Sequence, residues 1–215
     1  MRIALIMENS QASKNALVYE TLKKVCDHHG FELDNYGMTG AEDKSLTYVQ
    51  EGLLASILLN SGAADFVVTG CGTGEGAMLA LNSFPGVFCG HVQDSTDAYL
   101  FSQINAGNAI ALPFAKGFGW GSEITLEAIF ERLFQGDFGG GYPKERREPE
   151  QANKKILDSV KTVTCRPLTE ILSSLDRDFV LQTIDRPTFR ELFFKHCQDD
   201  GIRTTIEEIL ADLKR

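Results

Sequence analysis

Cys71, Thr73 and Glu75 alternate with glycines in the stretch Cys71-Gly72-Thr73-Gly74-Glu75-Gly76. An apolar run over 64–70 precedes it and a helical pattern over 76–84 follows, so the loop joins a strand to a helix. At such a junction unpaired amide N–H groups and the helix dipole stabilise anions. That field favours a thiolate, which can act as base or nucleophile. The following amides can hold a developing oxyanion, and a base beside an oxyanion hole is what proton abstraction next to a carbonyl requires. Two other readings of the same residues stay open. The glycines can simply serve a tight turn. Alternatively, Gly72 to Ala77 fits GxGxxA, with Asp94 at the distance of a ribose-binding acid, as in a dinucleotide cradle. Against the cradle, the loop belongs to a later strand–helix unit and Glu75 brings a negative charge to the pyrophosphate. No Lys-Ser/Thr pair follows the glycines, which excludes a P-loop.

The elements that must position this loop are legible as alternation. Residues 2–7, 31–37, 64–70, 86–92 and 109–114 read as strands. Between and after them, residues 13–30, an amphipathic 46–62, 76–84, 94–105 and 121–135 read as helices. This order predicts an α/β fold, a doubly wound parallel sheet in a Rossmann-like three-layer arrangement. Ligands in such sheets bind beyond the carboxyl ends of the strands, which points to the loops at 7–12, 70–76, 88–95 and 113–121. A glycine run, prolines and charges over 136–151 read as a linker or irregular arm. Beyond it the sequence reads helical, a C-terminal extension covering the main domain or a partner subunit. The expected division is 1–147 for the α/β domain and 148–215 for the helical extension.

The chain has 215 residues, 43% hydrophobic and 24% charged, ordinary for a protein with a sizeable core. A net charge of −9 argues against a nucleic-acid partner held in a basic groove. No apolar stretch is long enough to span a membrane, and the first residues do not read as a signal peptide. The five scattered cysteines lack a CxxC pair, which predicts a reducing cytoplasm and no zinc site.

Taken together, these motifs resemble the sugar-phosphate isomerases of the ribose-5-phosphate isomerase B and galactose-6-phosphate isomerase type. That family's C/S-G-T/S-G-x-G loop matches residues 71–76, its A-N-K helix end matches Ala80-Leu81-Asn82-Ser83, and its P-G turn matches Pro85-Gly86. Its H-N-x-x-N-V-L element appears as Ile104-Asn105-Ala106-Gly107-Asn108-Ala109-Ile110. Its F-E-G-G-R-H-x-x-R element appears as Phe138 to Arg146, and Asp94 keeps the family's aspartate. The likeness covers roughly the first two thirds of the chain.

The resemblance implies a metal-free, cofactor-free aldose–ketose isomerase acting on a sugar phosphate through an enediol, in a homodimer or dimer of dimers with shared active sites. It implies Cys71 as the base and Thr73 as a group assisting ring opening or contacting the sugar. The amides of Gly72, Gly74 and Gly76, with Asn105, would hold the enediolate, and Arg146 from the neighbouring subunit would bind phosphate. The family's opening D-H-x-G is Glu8-Asn9-Ser10-Gln11 here, which places Glu8 and Asn9 at the substrate. A non-catalytic sugar-phosphate or nucleotide binder on the same fold is the alternative.

Several positions depart from that pattern. The ring-opening histidine is Ile104, the Arg-His before the last arginine is Tyr142-Pro143, and the lysine after Asn82 is Ser83. The loss of the histidine predicts weak activity on ring-closed pentose phosphates relative to open-chain substrates. Glu75 reads equally as a second acid–base group or as a carboxylate favoured by the helix dipole. His91 reads as an ordinary histidine near a strand end or as a replacement acid–base group. His28 and His29 read as a solvated helix end, and Lys116 and Arg147 rank below Arg146 as anion ligands.

Overall fold

The computed structural model describes residues 1–211. Five parallel strands, β1 (Arg2–Leu5), β2 (Glu32–Asn35), β3 (Phe66–Cys71), β4 (Cys89–His91) and β5 (Ala109–Pro113), lie in the order β2-β1-β3-β5-β4. The direction of winding reverses between β1 and β3. The crevice at that switch point is where a doubly wound sheet receives its ligand, and Cys71 ends one of its two strands.

Strand residues alternate between two cores. Ile3, Leu5, Phe66, Val68, Ile110 and Leu112 meet α1 (Asn15–His29), α4 (Ser95–Leu100) and α5 (Ser122–Leu133). Ala4, Val67, Cys71, Ala109 and Ala111 face α2 (Tyr48–Asn60) and α3 (Glu75–Asn82). β3 runs one residue beyond its predicted end, because pairing continues through Gly70 with Leu112 and Cys71 with Pro113. Gly70 permits this, since a Cβ there would lie 2.2 Å from the Leu112 carbonyl oxygen. Cys71 is therefore a strand residue, held by the sheet.

The second helix was expected to be amphipathic, and here the structure differs. From Gln50 to Leu58 it is buried on all sides. Its outer face is covered by α7 (Leu168–Ser174) and α8 (Arg177–Ile184), while α9 (Pro187–His196) and α10 (Asp200–Ala211) complete the cap. Phe189, Phe193, Val180, Ile184 and Ile206 are fully buried in this core, each worth about 1.5–3 kcal/mol relative to exposure. The buried Arg186 side chain pairs with Asp43 at 3.0 Å and donates to the Lys44 carbonyl, latching the loop before α2 to the extension.

The segment read as an irregular arm is helical in its second half. α6 (Arg147–Thr164) starts there, with Pro149 in its first turn, where a missing N–H costs nothing. The helix expected over 94–105 breaks at Leu100 into a π-helical turn, Phe101–Asn105, closed by Ala106 at φ 46°. The predicted last helix reaches Ala211 in α10, and residues 212–215 lie outside the described residues.

Candidate active site

Cys71 is 8% exposed at the carboxyl end of β3. Two ladder bonds beyond the strands, Phe114 N–H to the Cys71 carbonyl and Ala115 N–H to the Gly72 carbonyl, both 2.9 Å, hold the loop that follows. Gly74 then adopts φ 80° as N-cap of α3, against the His91 ring, where a Cβ would approach to 2.7 Å. The Thr73 hydroxyl lies 4.0 Å from the Cys71 sulfur and accepts the Glu75 N–H at 3.4 Å. Neither Thr73 N–H nor Gly74 N–H donates to another described residue, so both are free for an anion at the helix N-terminus. Gly76 lies within reach of the Cys71 sulfur and under the Tyr48 ring.

His91 reaches this loop from β4. Its Nε2 is 2.9 Å from the Thr73 carbonyl oxygen, which can only accept, so Nε2 carries a hydrogen. Nδ1 faces the exposed Glu75 carboxylate at 3.8 Å and is the nitrogen left to exchange a proton. The two groups read separately in the sequence thus face each other at the rim of the loop.

The 3-10 turn Asn9–Lys14 forms the opposite wall. Glu8 is 4% exposed and caps this turn, accepting from the Ser10 amide at 2.8 Å and from the Ser10 hydroxyl. Its carboxylate is thereby engaged by protein donors. Asn9 is exposed and donates to the Ser45 hydroxyl at 3.1 Å. The Gln11 amide lies over Gly72, and Lys14 donates to Gln11 at 2.7 Å and to the Phe114 carbonyl. Gln11, Lys14 and Tyr48 were not singled out from the sequence. Gln11 lies within the loop over 7–12 that follows β1.

Glu51, on α2, was also missed. It is fully buried, and neither carboxyl oxygen has a hydrogen-bond partner among the described residues. Burial pushes its carboxyl well above the usual carboxylate range; the Thr69 hydroxyl opposes this, and Glu8 and Cys71 add to it.

Asn105 and Arg146 stand apart from this cluster. The α4 crossover leaves the carboxyl end of β4 and returns to the amino end of β5, so Asn105 lies at the edge of the sheet opposite Cys71. The glycine arm follows it there: Gly139 N–H donates to the Ser102 carbonyl at 2.8 Å and Gly141 N–H to the Gln103 carbonyl at 3.0 Å. Arg146 is exposed in the next 3-10 turn. Ile104 and Asn105 line a groove with Glu150, Asn153, Lys154 and Leu157 of α6. Among the described residues no hydrogen bond or ion pair joins this group to the Cys71 loop. His28 and His29 pair with Glu131 at 3.2 and 3.4 Å, a contact between α1 and α5 on the sheet face turned away from the thiol.

The family model for ribose/galactose isomerases matches residues 3–148. The chain belongs to the ribose/galactose isomerase family. A second model, described as ribose-5-phosphate isomerase, matches residues 163–209, so the helical extension has its own counterpart. A solved 4-deoxy-L-threo-5-hexosulose-uronate ketol-isomerase, complexed with a tartrate, is 59% identical with a TM-score of 0.96, over 98% of this chain and 100% of that one. A ribose-5-phosphate isomerase from Vibrio parahaemolyticus is 49% identical with a TM-score of 0.95, over 97% and 99%. The type B ribose 5-phosphate isomerase from Trypanosoma cruzi shares the fold at 19% identity and a TM-score of 0.64, over 76% and 99%. This ribose/galactose isomerase relative is an aldose–ketose isomerase, an intramolecular oxidoreductase, with the expected αβα fold and additional C-terminal helices.

Proposed function

We propose that this isomerase moves a proton between adjacent carbons of an open-chain acidic sugar, with Cys71 as the base. The observation that carries this reading is the Cys71 thiol at the end of β3, beside the free amides of Thr73 and Gly74. The thiolate takes the proton from the carbon next to the carbonyl, and the electron pair moves onto the carbonyl oxygen. Those amides hold the resulting enediolate. The His91–Glu75 pair and the Thr73 hydroxyl shift a proton between the two oxygens. Cys71 then returns its proton to the neighbouring carbon, leaving the thiolate regenerated. Incubating the protein with a panel of aldose phosphates and ketouronates, read by NMR, tests the activity. Conversion is expected; a rise in thermal stability without conversion would indicate a binding protein instead.

Ile104 supports the open-chain part of the reading, because isoleucine cannot shuttle a proton to a ring oxygen. The uronate named for the 59% identical relative has no hydroxyl on its fourth carbon and a ketone on its fifth. Its aldehyde therefore lacks the hydroxyls that close five- and six-membered sugar rings. That substrate class matches a site without a ring-opening histidine, and we assign it to this chain ahead of phosphorylated pentoses. Arg146 then holds the carboxylate that takes the place of phosphate, a role suited to its planar pair of donors.

A shared site explains why Asn105 and Arg146 lie away from Cys71 within one chain. α6 has no buried residue and presents Ile156, Leu157, Val160 and Val163 to solvent, 49–85% exposed. An apolar stripe of this kind is suited to a second copy of the chain, and it flanks the groove that carries Asn105. The chain thus works as a homodimer or larger assembly, in which one subunit supplies the thiol and the other supplies Asn105 and Arg146. Mixing Cys71→Ala and Arg146→Ala subunits is expected to restore activity to the heterodimers, since one of their two sites is then intact. Heterodimers that form and stay inactive would refute the shared site. Free, mostly buried cysteines fit a reducing cytoplasm, and residues 1–147 and 148–215 form the catalytic unit and its extension.

A further inference from the structure

We propose that Glu51 is a positioning residue for the Cys71 thiolate, a buried carboxylic acid whose O–H donates to the sulfur once the thiol has given up its proton. The inference rests on the reading of Cys71 as the base. Its geometry is independent of that reading. A capping box fixes the start of α2, with Thr47 N–H donating to the Gln50 side chain at 2.8 Å and Gln50 N–H to the Thr47 hydroxyl at 3.3 Å. The next residue, Glu51, is thereby turned inward and is 0% exposed.

Thr69 and Cys71 point from β3 toward α2, because alternate strand residues share a face. Both Glu51 oxygens and the Thr69 hydroxyl lack hydrogen-bond partners among the described residues. The titratable groups acting on Glu51 are Glu8, which caps the 3-10 turn, Cys71 of β3 and Cys89 of β4. No charged side chain of α3, α7 or α8, which also pack on α2, is among the groups acting on it.

Unpaired buried carboxyl groups are costly and call for a reason. An ionised Glu51 would set a third negative charge beside Glu8 and oppose a thiolate. Neutral Glu51 carries one O–H, with the Thr69 hydroxyl beside it. Ionisation of the sulfur on the same strand face creates a stronger acceptor, and a hydrogen bond to the charged form favours it. The acid is too deeply buried to touch substrate, so it acts through the sulfur.

The test is alkylation of Cys71 by iodoacetamide in the full-length protein across a pH series, followed on the Cys71-containing peptide by mass spectrometry. Glu51→Gln keeps a donor and is expected to alkylate like the native protein. Glu51→Met removes the donor at similar size. It is expected to slow alkylation at pH 7 about tenfold, as for one unit of thiol titration, and to move the profile to higher pH. Turnover should fall in kcat with KM unchanged. If Glu51→Met does not fold, Glu51→Asp, which withdraws the carboxyl by one methylene, is expected to slow alkylation severalfold. Native alkylation profiles in the folded variants would overturn the proposal. Because alkylation needs no turnover, this outcome is distinct from failure of the Cys71 reading, which would show as an active Cys71→Ala enzyme.

Discussion

Cys71→Ala is expected to lower kcat by about 10²–10⁴-fold, the usual worth of a positioned acid–base group. Ligand binding should change little, since the free Thr73 and Gly74 amides remain on the backbone. The substitution removes one sulfur from the end of a strand whose register is set by Gly70–Leu112 and Cys71–Pro113 pairing. The fold should therefore persist, and the loss should be chemical. Steady-state kinetics with a thermal-shift titration of the same variant checks both halves. A variant that turns over normally would remove the thiol from the mechanism.

The second large effect concerns substrate form. Ribose 5-phosphate is mostly a ring, so its isomerisation needs an acid–base group at the ring oxygen before any carbon-bound proton can move. At the position where the family motif has its histidine this chain has Ile104, in the groove formed with α6. An open-chain ketouronate, or a short open-chain sugar phosphate, skips that step. The native enzyme should favour such substrates over ribose 5-phosphate in kcat/KM by about 10²–10⁴-fold. Ile104→His should raise the ribose 5-phosphate value while leaving the open-chain value nearly unchanged. Efficient use of ribose 5-phosphate by the native enzyme would refute the assignment and point to His91 as a ring-opening group.

The alternation of apolar runs and helical patterns made the sheet and its loops legible, because the strands are short apolar runs and the helices α1, α2, α3 and α5 are each followed within a few residues by a glycine or a proline. The Cys71 loop was legible for the same reason. What stayed hidden depends on contacts between distant segments. Glu51 reads as an ordinary polar residue of an amphipathic helix until α7 and α8 cover the outer face of α2. The capping role of Glu8 exists only once the turn after β1 folds back onto it. Asn105 and Arg146 were recognisable by motif, but only the direction of the α4 crossover shows that they lie away from the thiol of their own chain. His91 and Glu75 are sixteen positions apart, and the pair exists because β4 and β3 flank β5 in the sheet.

Proton transfer through Cys71 is followed by running the reaction in deuterium oxide and reading the label by NMR at the carbon that receives the proton. Solvent deuterium is expected at that carbon with the native enzyme, and exchange reduced about 10²–10⁴-fold in Cys71→Ala. Exchange at the native rate in Cys71→Ala would contradict proton transfer through that thiol.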